Sequence, residues 1–398
     1  MNWRDAIRVL AQIERPSASA GERRAAELIA GWLGELGCRT VVEEERAHGG
    51  YWWPIGSANA VAAACALLSL RRGSGHVIRL TAWAGSWALA AALWDDLGHG
   101  RRWFRRALFR RRPTWNVVAE TGDRDAHRVV ALIAHHDAAH SGLVFHPALA
   151  RIGPRLLPRV HARASHTLPI LYGVWLGPVV VGLAALARRR TLLRAGALLA
   201  AGATAIMLDI GARSAVPGAN DNLSAVGVLI GLAQALQDRP VQGVRVLLIS
   251  TGSEESFSEG MQAFGARHFG ELPRACTEFI CLECLGGSQL NVLEGEGMLK
   301  MRDYPPHMRE SLADAAVVAG VSIGRGLRTV AATDAIIALR AGYDVVTLAS
   351  VEGTKLPLNY HWPSDVPDAL HWETIEAALG TCESFLRSRA LATAVRQR

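Results

Sequence analysis

The feature that most constrains this chain is the segment 244–256, Val-Arg-Val-Leu-Leu-Ile-Ser-Thr-Gly-Ser-Glu-Glu-Ser, in which a short apolar run ends at two adjacent carboxylates, Glu254 and Glu255. A run of this length, rich in aliphatic and β-branched residues, is typical of a buried strand in an α/β sheet. Such sheets bind ligands at the carboxyl ends of their strands. Adjacent side chains at a strand exit point in different directions, so one Glu can hold a metal ion while the other faces a reacting water.

A second apolar run, 128–134, ends on His135-His136-Asp137. A His followed two residues later by Asp at a strand exit is a metal-ligand pattern in which the carboxylate orients the imidazole ring. Alone the pattern is weak, because most such triplets are accidents of surface composition. It gains weight from the other carboxylates at strand ends.

Three more polar residues lie near the ends of predicted elements. Asp221 lies in a turn-rich loop before the apolar helix 225–236, where an Asp usually caps the helix. Glu283 lies within the predicted buried strand 279–286, where a carboxylate without a partner cation is costly. His361 lies in a loop that follows the predicted strand 345–350.

Long apolar runs interrupt the globular sequence. The chain has 398 residues, 50% of them hydrophobic, and its mean hydropathy of +0.15 is high for a soluble enzyme. Spanning a bilayer takes ~20 helical residues, and four segments are about that long: 52–70, 77–94, 169–187 and 192–210. For the first two runs the alternative is a pair of buried Ala-rich core helices, and Arg79 inside the second run keeps it open. A further alternative is that both pairs of runs fold against the domain as a lid.

Basic residues flank the apolar runs. The formal charge is +7, and the Arg-rich stretch 101–112 would suit an anionic membrane surface. We therefore expect membrane lipid as a partner and no nucleic acid. Cys281-x-x-Cys284 lacks a second pair, so we expect buried thiols at these positions and not a zinc finger.

In chain order, these motifs resemble the co-catalytic di-zinc aminopeptidase family that includes glutaminyl cyclases and transferrin-receptor relatives. The resemblance rests on His135-x-Asp137, Pro217-Gly-Ala-Asn-Asp221-Asn, Glu254-Glu255, Glu283 before Gly286 and Asn359-Tyr-His361. It covers residues 1–50, 115–145 and 215–390 and leaves the apolar insertions unexplained.

The resemblance implies two zinc ions per chain and a role for each motif. His135 and Glu283 would hold one zinc, Glu255 and His361 the other, and Asp221 would bridge them. Glu254 would be the general base, and Asp137 would support His135 from behind. Glu283 stands where many members of the family have Asp.

The expected fold is α/β: a mixed, mostly parallel sheet with helices on both faces and two inserted apolar helical hairpins. The zinc peptidase domain would comprise 1–50, 115–145 and 215–398. The inserted parts would be a first transmembrane hairpin over 51–95, a basic juxtamembrane segment over 96–114, a basic linker over 146–168 and a second transmembrane hairpin over 169–213.

The predicted function is that of a membrane-anchored metallopeptidase, most simply an aminopeptidase that acts on short peptides. The nearest alternative is a glutaminyl cyclase, which uses a similar frame with one zinc. An alternative from another class is a catalytically silent receptor or scaffold, which ranks lower because every ligand position holds a competent residue.

Two hairpins would place both chain ends and the catalytic segments on one side of the membrane. The chain opens with a charged amphipathic helix and not with a signal peptide, and the Arg-rich segments 101–112 and 151–163 lie on the catalytic side. That side is therefore expected to be the cytoplasm. Because both hairpins should leave the sheet from the edge where His135 lies, the zinc cleft is expected to face the bilayer.

Overall fold

The computed structural model describes residues 1–187 and 189–396. The strands are β1 (Arg39–Ala47), β2 (Arg112–Gly122), β3 (Val129–His135), β4 (Arg245–Thr251), β5 (Thr277–Glu283), β6 (Gln289–Val292), β7 (Gly295–Glu296), β8 (Arg302–Asp303), β9 (Arg328–Thr329) and β10 (Asp344–Val351). The helices are α1 (Trp3–Leu10), α2 (Ala20–Glu35), α3 (Trp52–Leu70), α4 (His76–Leu97), α5 (Trp103–Leu108), α6 (Pro147–Ala150), α7 (Ile152–Leu156), α8 (Pro158–Arg163), α9 (Leu176–Ala187), α10 (Arg190–Ala212), α11 (Ser224–Asp238), α12 (Glu259–His268), α13 (Pro306–Val318), α14 (Ala335–Arg340) and α15 (Trp372–Arg396).

The central sheet has seven strands in the order β1-β2-β4-β3-β5-β10-β6. Strands β3, β4, β5 and β10 run parallel to one another. Strand β2 is antiparallel to both β1 and β4, so β1 points the same way as the parallel strands. The sheet is therefore mixed and mostly parallel, as the sequence predicted, and the carboxyl ends of five strands meet at one edge.

Helices cover both faces of this sheet. Arg23 of α2 lies over the ring of Trp115 in β2, whereas the amide of Asn116 donates to the carbonyl of Gly260 in α12. Because successive residues of a strand point to opposite faces, α2 and α12 lie on opposite sides. The expected α/β class is confirmed.

The short polar turn between β2 and β3 predicts that the two strands run antiparallel, as in a hairpin, and this prediction is wrong in one respect. The two strands do run in opposite directions, but β4 lies between them and pairs with both. A short polar turn brings two strands close in sequence without deciding which strand fills the place beside each. Here the apolar run of β4 occupies the more central position, where all of its residues except Arg245 are buried.

The inserted apolar segments form a bundle of α3, α4, α9 and α10 that stands on the carboxyl edge of the sheet. Its near end packs Trp52, Leu97 and Ile210 together with Phe145 and Phe257 of the catalytic part. Its far end has a separate apolar core that includes Ala66, Ala82 and Leu193. Both insertions leave from the edge of the sheet that carries His135, as expected.

Three helices of the bundle, α3, α4 and α10, are long and apolar enough to cross a membrane. The prediction of a full-length span over 169–187 is wrong, because the helix in this run, α9, has 12 residues and follows a 3-10 turn over Tyr172–Trp175. Pro169 and Gly173 disfavour helix at the start of the run, and residues 168–171 line a cavity instead. The sequence separates the last two runs by three arginines, 188–190, of which Arg188 lies outside the described residues.

A second correction concerns the basic segment 96–114. Arg102 and Arg105 are fully buried and pair with Asp96 and Glu259. Hydropathy and charge along the sequence do not distinguish a surface arginine from one that has a buried acidic partner. Only the other arginines of this stretch are available to a membrane surface.

Candidate metal centre

The predicted ligands come together at the carboxyl edge of the sheet. His135 is the last residue of β3, Glu254 and Glu255 follow β4 after two intervening residues, and Glu283 is the last residue of β5. The position of Glu283 corrects the expectation that it lies in the middle of its strand. At the exit, its side chain can leave the apolar interior and face the other carboxylates.

Asp221 lies at the middle of the cluster. Its Oδ1 lies 3.3 Å from Nε2 of His135, and its Oδ2 lies 3.3 Å from Nε2 of His361. Asp221 does not cap α11, which begins at Ser224. Each of its two oxygens faces a different imidazole, which is the arrangement that a carboxylate bridging two cations requires.

Each imidazole also faces a second carboxylate. Oε1 of Glu283 lies 3.6 Å from Nε2 of His135, and Oε2 of Glu255 lies 3.4 Å from Nε2 of His361. The donor atoms thus form two sets, His135–Glu283 and His361–Glu255, that share Asp221. Donor atoms of His135, Asp221 and Glu255 also lie within 4.8 Å of one another, so the two sets are contiguous.

These separations fit zinc. A tetrahedral ion with bonds of ~2.0–2.2 Å holds its ligand atoms ~3.3–3.6 Å apart, and the four distances between imidazole nitrogen and carboxylate oxygen lie in that range. Nε2 of His135 is buried and has no hydrogen-bond partner among the described residues. Its ring Nδ1 lies 3.1 Å from the carbonyl of Asp137, so the N–H donated there leaves the Nε2 lone pair directed at the carboxylates.

The charges of the cluster also call for cations. Burial alone would lower the pKa of His361, but Glu255 and Asp221 outweigh it and raise that pKa to about 10. The pKa of His135 likewise lies well above its ordinary value, since Asp137, Asp221 and Glu283 overcome the effect of burial. A cluster that binds protons this tightly is short of positive charge, which metal ions would supply.

Glu254 differs from the ligands in its distance from the imidazoles, since its nearest approach is 4.0 Å, from Oε2 to Nε2 of His135. Like Asp221, Glu255, Glu283 and His361, it lines a cavity of about 140 Å³. Burial raises its pKa well above the ordinary value, with a further contribution from Glu255. Such a carboxyl is poised to accept and release a proton.

His136 takes no part in the cluster. It is fully buried, and its Nδ1 lies 2.9 Å from Oγ of Ser250. Burial lowers its pKa to about 3, so the ring is neutral. Since neighbours in a strand point to opposite faces, His135 meets the metal ligands while His136 packs into the core.

Two supporting residues are not among the predicted site residues. The first is Arg15, whose buried guanidinium donates to the carbonyls of His136 (2.7 Å), Pro217 (2.6 Å) and Gly218 (2.9 Å). It thereby joins the loop after β3 to the loop that carries Asp221. No local pattern marks Arg15, because all of these partners are backbone atoms distant in sequence.

The second is Asp365, which supports Asp221 from the other side. Its carboxylate accepts the backbone N–H groups of Asn220 at 2.7 Å and of Asp221 at 3.1 Å. Burial raises the pKa of Asp365 to about 7. The one hint of this role in the sequence is its position: Asp365 follows His361 by four residues and lies on the same loop.

The expected pair of buried thiols is present. Cys281 and Cys284 are buried and free. Cys284 approaches the metal centre, with its Sγ 3.3 Å from Oε1 of Glu283. Burial and the nearby carboxylates raise the pKa of Cys284 well above its ordinary value. Its Sγ lies within 4.8 Å of donor atoms of Asp221 and Glu283, so the thiol borders the ligand cluster.

The cavity above the carboxylates is mainly apolar, and the insertions form part of its wall. Tyr51 precedes α3, Leu97 ends α4, and the extended residues 168–171 lead into the second apolar segment. Phe257 and Tyr360 contribute from the catalytic part. The helical bundle therefore takes part in shaping the site.

Comparisons with known proteins agree with this picture. Residues 205–386 match the family model described as Peptidase family M28, a range that includes Asp221, Glu254, Glu255, Glu283 and His361 but not His135. No curated protein matches the chain significantly.

Solved structures with the same fold include zinc peptidases and a cyclase. The chain is similar to an aminopeptidase from Aneurinibacillus sp. strain AM-1, with 13% identity and a TM-score of 0.54 over 98% of this chain and 93% of that one. It is similar to BSAP, a zinc aminopeptidase from Bacillus subtilis, with 14% identity and a TM-score of 0.55 over 97% and 94% of the two chains. It is also similar to a glutaminyl cyclase from Bacteroides thetaiotaomicron, with 13% identity and a TM-score of 0.54 over 97% and 96%.

Proposed function

We propose that this chain, which matches the model of Peptidase family M28 over residues 205–386 and has the fold of zinc aminopeptidases, is a membrane-anchored aminopeptidase that removes N-terminal residues from short peptides. The observation that carries the proposal is the position of Asp221 between two imidazoles. Four nitrogen–oxygen distances of 3.3–3.6 Å around it fit two zinc ions that share one carboxylate.

In this proposal His135 and Glu283 would hold one zinc, His361 and Glu255 would hold the other, and Asp221 would face both. Zinc in these places would polarise the scissile carbonyl and lower the pKa of a bound water. Glu254 would accept a proton from the attacking water and deliver it to the leaving amine, a role that its raised pKa favours. The carboxylate of Asp137 holds Glu254 in place by accepting a hydrogen bond from the backbone N–H of Glu254.

Membrane anchoring is supported by the outer surface of the bundle. In the most hydrophobic stretches of α4 and α10, only 33% and 28% of the residues are buried. Large apolar side chains such as Val77, Leu198 and Leu208 face outward. A lid or a pair of core helices would bury such residues against protein, whereas a continuous apolar surface of this kind suits lipid. Trp52 and Ile210 of the bundle pack with Phe145 and Phe257 of the catalytic part at the near end, so the cleft faces the membrane surface in this arrangement.

This placement bears on the substrate. Because the bundle base forms part of the cavity wall, a folded protein could not reach the carboxylates from that side. Short peptides, or peptides delivered along the membrane surface, could do so. The side of the membrane is proposed from charge: Arg-rich segments 101–112 and 151–163 lie at the near end and favour a cytoplasmic catalytic part.

The test is a panel of aminoacyl substrates assayed on detergent-purified protein, with metal analysis. We expect zinc-dependent hydrolysis, two zinc ions per chain, and a rate loss of roughly 10²–10⁴-fold in Glu254→Gln with its zinc retained. The matched control is Glu44→Gln, since Glu44 is exposed on β1. Equal turnover in Glu254→Gln and wild type would overturn the mechanism.

The alternative of a glutaminyl cyclase is favoured by the structural similarity to the cyclase from Bacteroides thetaiotaomicron. Substrates with N-terminal glutamine should be included in the panel. Cyclisation without hydrolysis, together with one zinc per chain, would replace the aminopeptidase proposal by this one. Absence of both activities in a zinc-loaded protein would favour the scaffold alternative.

A further inference from the structure

We propose that Arg105, together with Arg102, is a positioning residue that holds the catalytic loop 253–259 in shape and so places Glu254 and Glu255. Both arginines belong to the segment that follows the first inserted hairpin. The inference rests on the proposed function, because it assigns these residues a part in the same reaction. It implies that the hairpin is a working part of the active site as well as an anchor.

The first step is the set of contacts of Arg105. Its side chain is fully buried, and Nη1 donates to the carbonyl of Ser256 at 2.9 Å. Nε donates to Oδ2 of Asp96 at 3.1 Å, and Nη2 lies 3.0 Å from Oδ1 of the same carboxylate. Asp96 is in the last turn of α4, so one planar guanidinium joins the end of the hairpin to the residue after Glu255.

Arg102 makes a second connection to the same loop. Its buried Nη1 lies 3.3 Å from Oε1 of Glu259, and Nη2 donates to the carbonyl of Phe257. Glu259 in turn accepts the backbone N–H of His48 and the hydroxyl of Ser256, both at 2.7 Å. The charges of the two arginines are thus neutralised inside the protein, where they are unavailable to lipid.

The second step is that the loop needs such support. Ser253, Phe257 and Ser258 have positive φ values of 51°, 69° and 56°. This region is unfavourable for residues other than glycine and persists only where surrounding contacts impose it. The arginine contacts end on the carbonyls of Ser256 and Phe257, within the strained stretch that carries Glu254 and Glu255 at its start.

The third step is that the other end of the hairpin holds the same loop. The rings of Tyr51 and Phe257 stack at 4.9 Å with planes 9° apart. Tyr51 directly precedes α3, whereas Arg102 and Arg105 follow α4. The loop is therefore held by residues on both sides of the hairpin, and a change in how α3 and α4 pack would be transmitted to it.

The experiment compares Arg105→Met with Arg106→Met in the full-length, detergent-purified protein. Arg106 is the exposed neighbour on the same short helix, so it controls for the loss of one basic charge. We expect Arg105→Met to lower kcat by about 10²-fold with little change in KM, because displacing a catalytic group by ~1 Å costs that much. We also expect its zinc affinity to fall about 10–100-fold, since Glu255 loses its support.

A second variant covers the case in which Arg105→Met does not fold. Arg105→Lys keeps the buried charge but cannot reach both Asp96 and the Ser256 carbonyl with the same geometry, so we expect an intermediate loss of kcat and of zinc affinity at a retained melting temperature. Arg105 variants indistinguishable from Arg106→Met in both readouts would overturn the inference. Wild-type protein that binds zinc but hydrolyses no substrate would overturn the proposed function. In that case the zinc affinities of the Arg105 variants would still test whether Arg105 positions the loop that carries Glu255.

Discussion

Asp137 accepts a hydrogen bond of 3.0 Å from the backbone N–H of Glu254 through its Oδ1. Its Oδ2 accepts the N–H of Glu255 at 3.1 Å and the hydroxyl of Ser17 at 2.6 Å, and its backbone carbonyl faces Nδ1 of His135. One residue thus fixes the ligand at the end of β3 relative to the loop after β4. The two strands would otherwise present their side chains independently.

The first prediction follows for Asp137→Asn. An amide has one oxygen, so one of the two backbone N–H groups would face the NH₂ group and lose its acceptor. We expect zinc affinity to fall about 10–100-fold and kcat to fall with it, measured by zinc titration and steady-state kinetics. Ser17→Ala removes only one hydrogen bond to the same carboxylate and should have a smaller effect. Equal effects of the two variants would argue against this role for Asp137.

The second prediction concerns the assignment of ligands. Asp221→Ala should lose most of both zinc ions, because its oxygens face both imidazoles, whereas His135→Ala and His361→Ala should each lose about one. Metal analysis after gel filtration measures the outcome. His307→Ala is the control, since His307 is exposed and remote in sequence from the motifs. Full zinc content in all three ligand variants would mean that the ligands are misassigned.

The third prediction concerns pH and Glu296, a fully buried carboxyl whose Oε2 accepts the N–H of Thr333 at 2.6 Å. Burial raises its pKa from 4.5 to about 8. The folded state therefore keeps a proton that the unfolded state loses as pH rises above 4.5, so this group reduces stability progressively between pH 4.5 and about 8. Below that window it has no effect.

Glu296→Gln cannot ionise and should remove this dependence. Each pKa unit corresponds to about 1.4 kcal/mol, so wild type should lose on the order of several kcal/mol relative to the variant between about pH 5 and about pH 8.5. Urea unfolding of zinc-loaded protein at both pH values measures the difference, and other groups cancel in the comparison. Exposed Glu310→Gln should track wild type. Parallel pH profiles for wild type and Glu296→Gln would refute the prediction.

The core of the catalytic fold can be predicted from the sequence because the patterns that mark its strands are local. A buried strand that stops at a polar residue marks its own carboxyl end, and parallel strands bring those ends together. This reasoning predicts that His135, Glu254 and Glu255 share one edge of the sheet, as they do. Asp221 is ambiguous, because an Asp before a helix is usually a cap, and only its distances to the two imidazoles distinguish the roles.

The relationships that cannot be predicted from the sequence are those between distant segments. Strand β4 inserts between β2 and β3 because its apolar side chains need burial on both faces, which no turn signal indicates. Arg105 resembles a surface arginine until its contacts with Asp96 and Ser256 are known. The run 169–187 has the composition of a membrane span, but its first residues are apolar because they line the cavity.

The fourth prediction concerns anchoring. If α3, α4 and α10 cross a bilayer, the expressed protein should stay in the membrane pellet after alkaline carbonate extraction and require detergent for release. A protein held only through the exposed arginines should instead be released by high salt, because surface charges are screened. Release by carbonate without detergent would exclude the spanning arrangement and, with it, the membrane-facing cleft.

The fifth prediction concerns topology. The end of α3 and the start of α10 meet at the far end of the bundle, where Arg190 donates to the carbonyl of Leu70, so the loops beside them lie at that end. A bilayer around the bundle would therefore separate these loops from both chain ends. The near end carries the larger set of arginines even without the buried Arg102 and Arg105, so the catalytic part should be cytoplasmic.

A reporter that is active only in the cytoplasm should give a signal when fused after Arg398, and the same reporter inserted after Gly73 in the far loop should be silent. A signal from the Gly73 fusion with silence at the carboxyl terminus would reverse the assignment, whereas signals from both would show that the bundle does not cross the membrane.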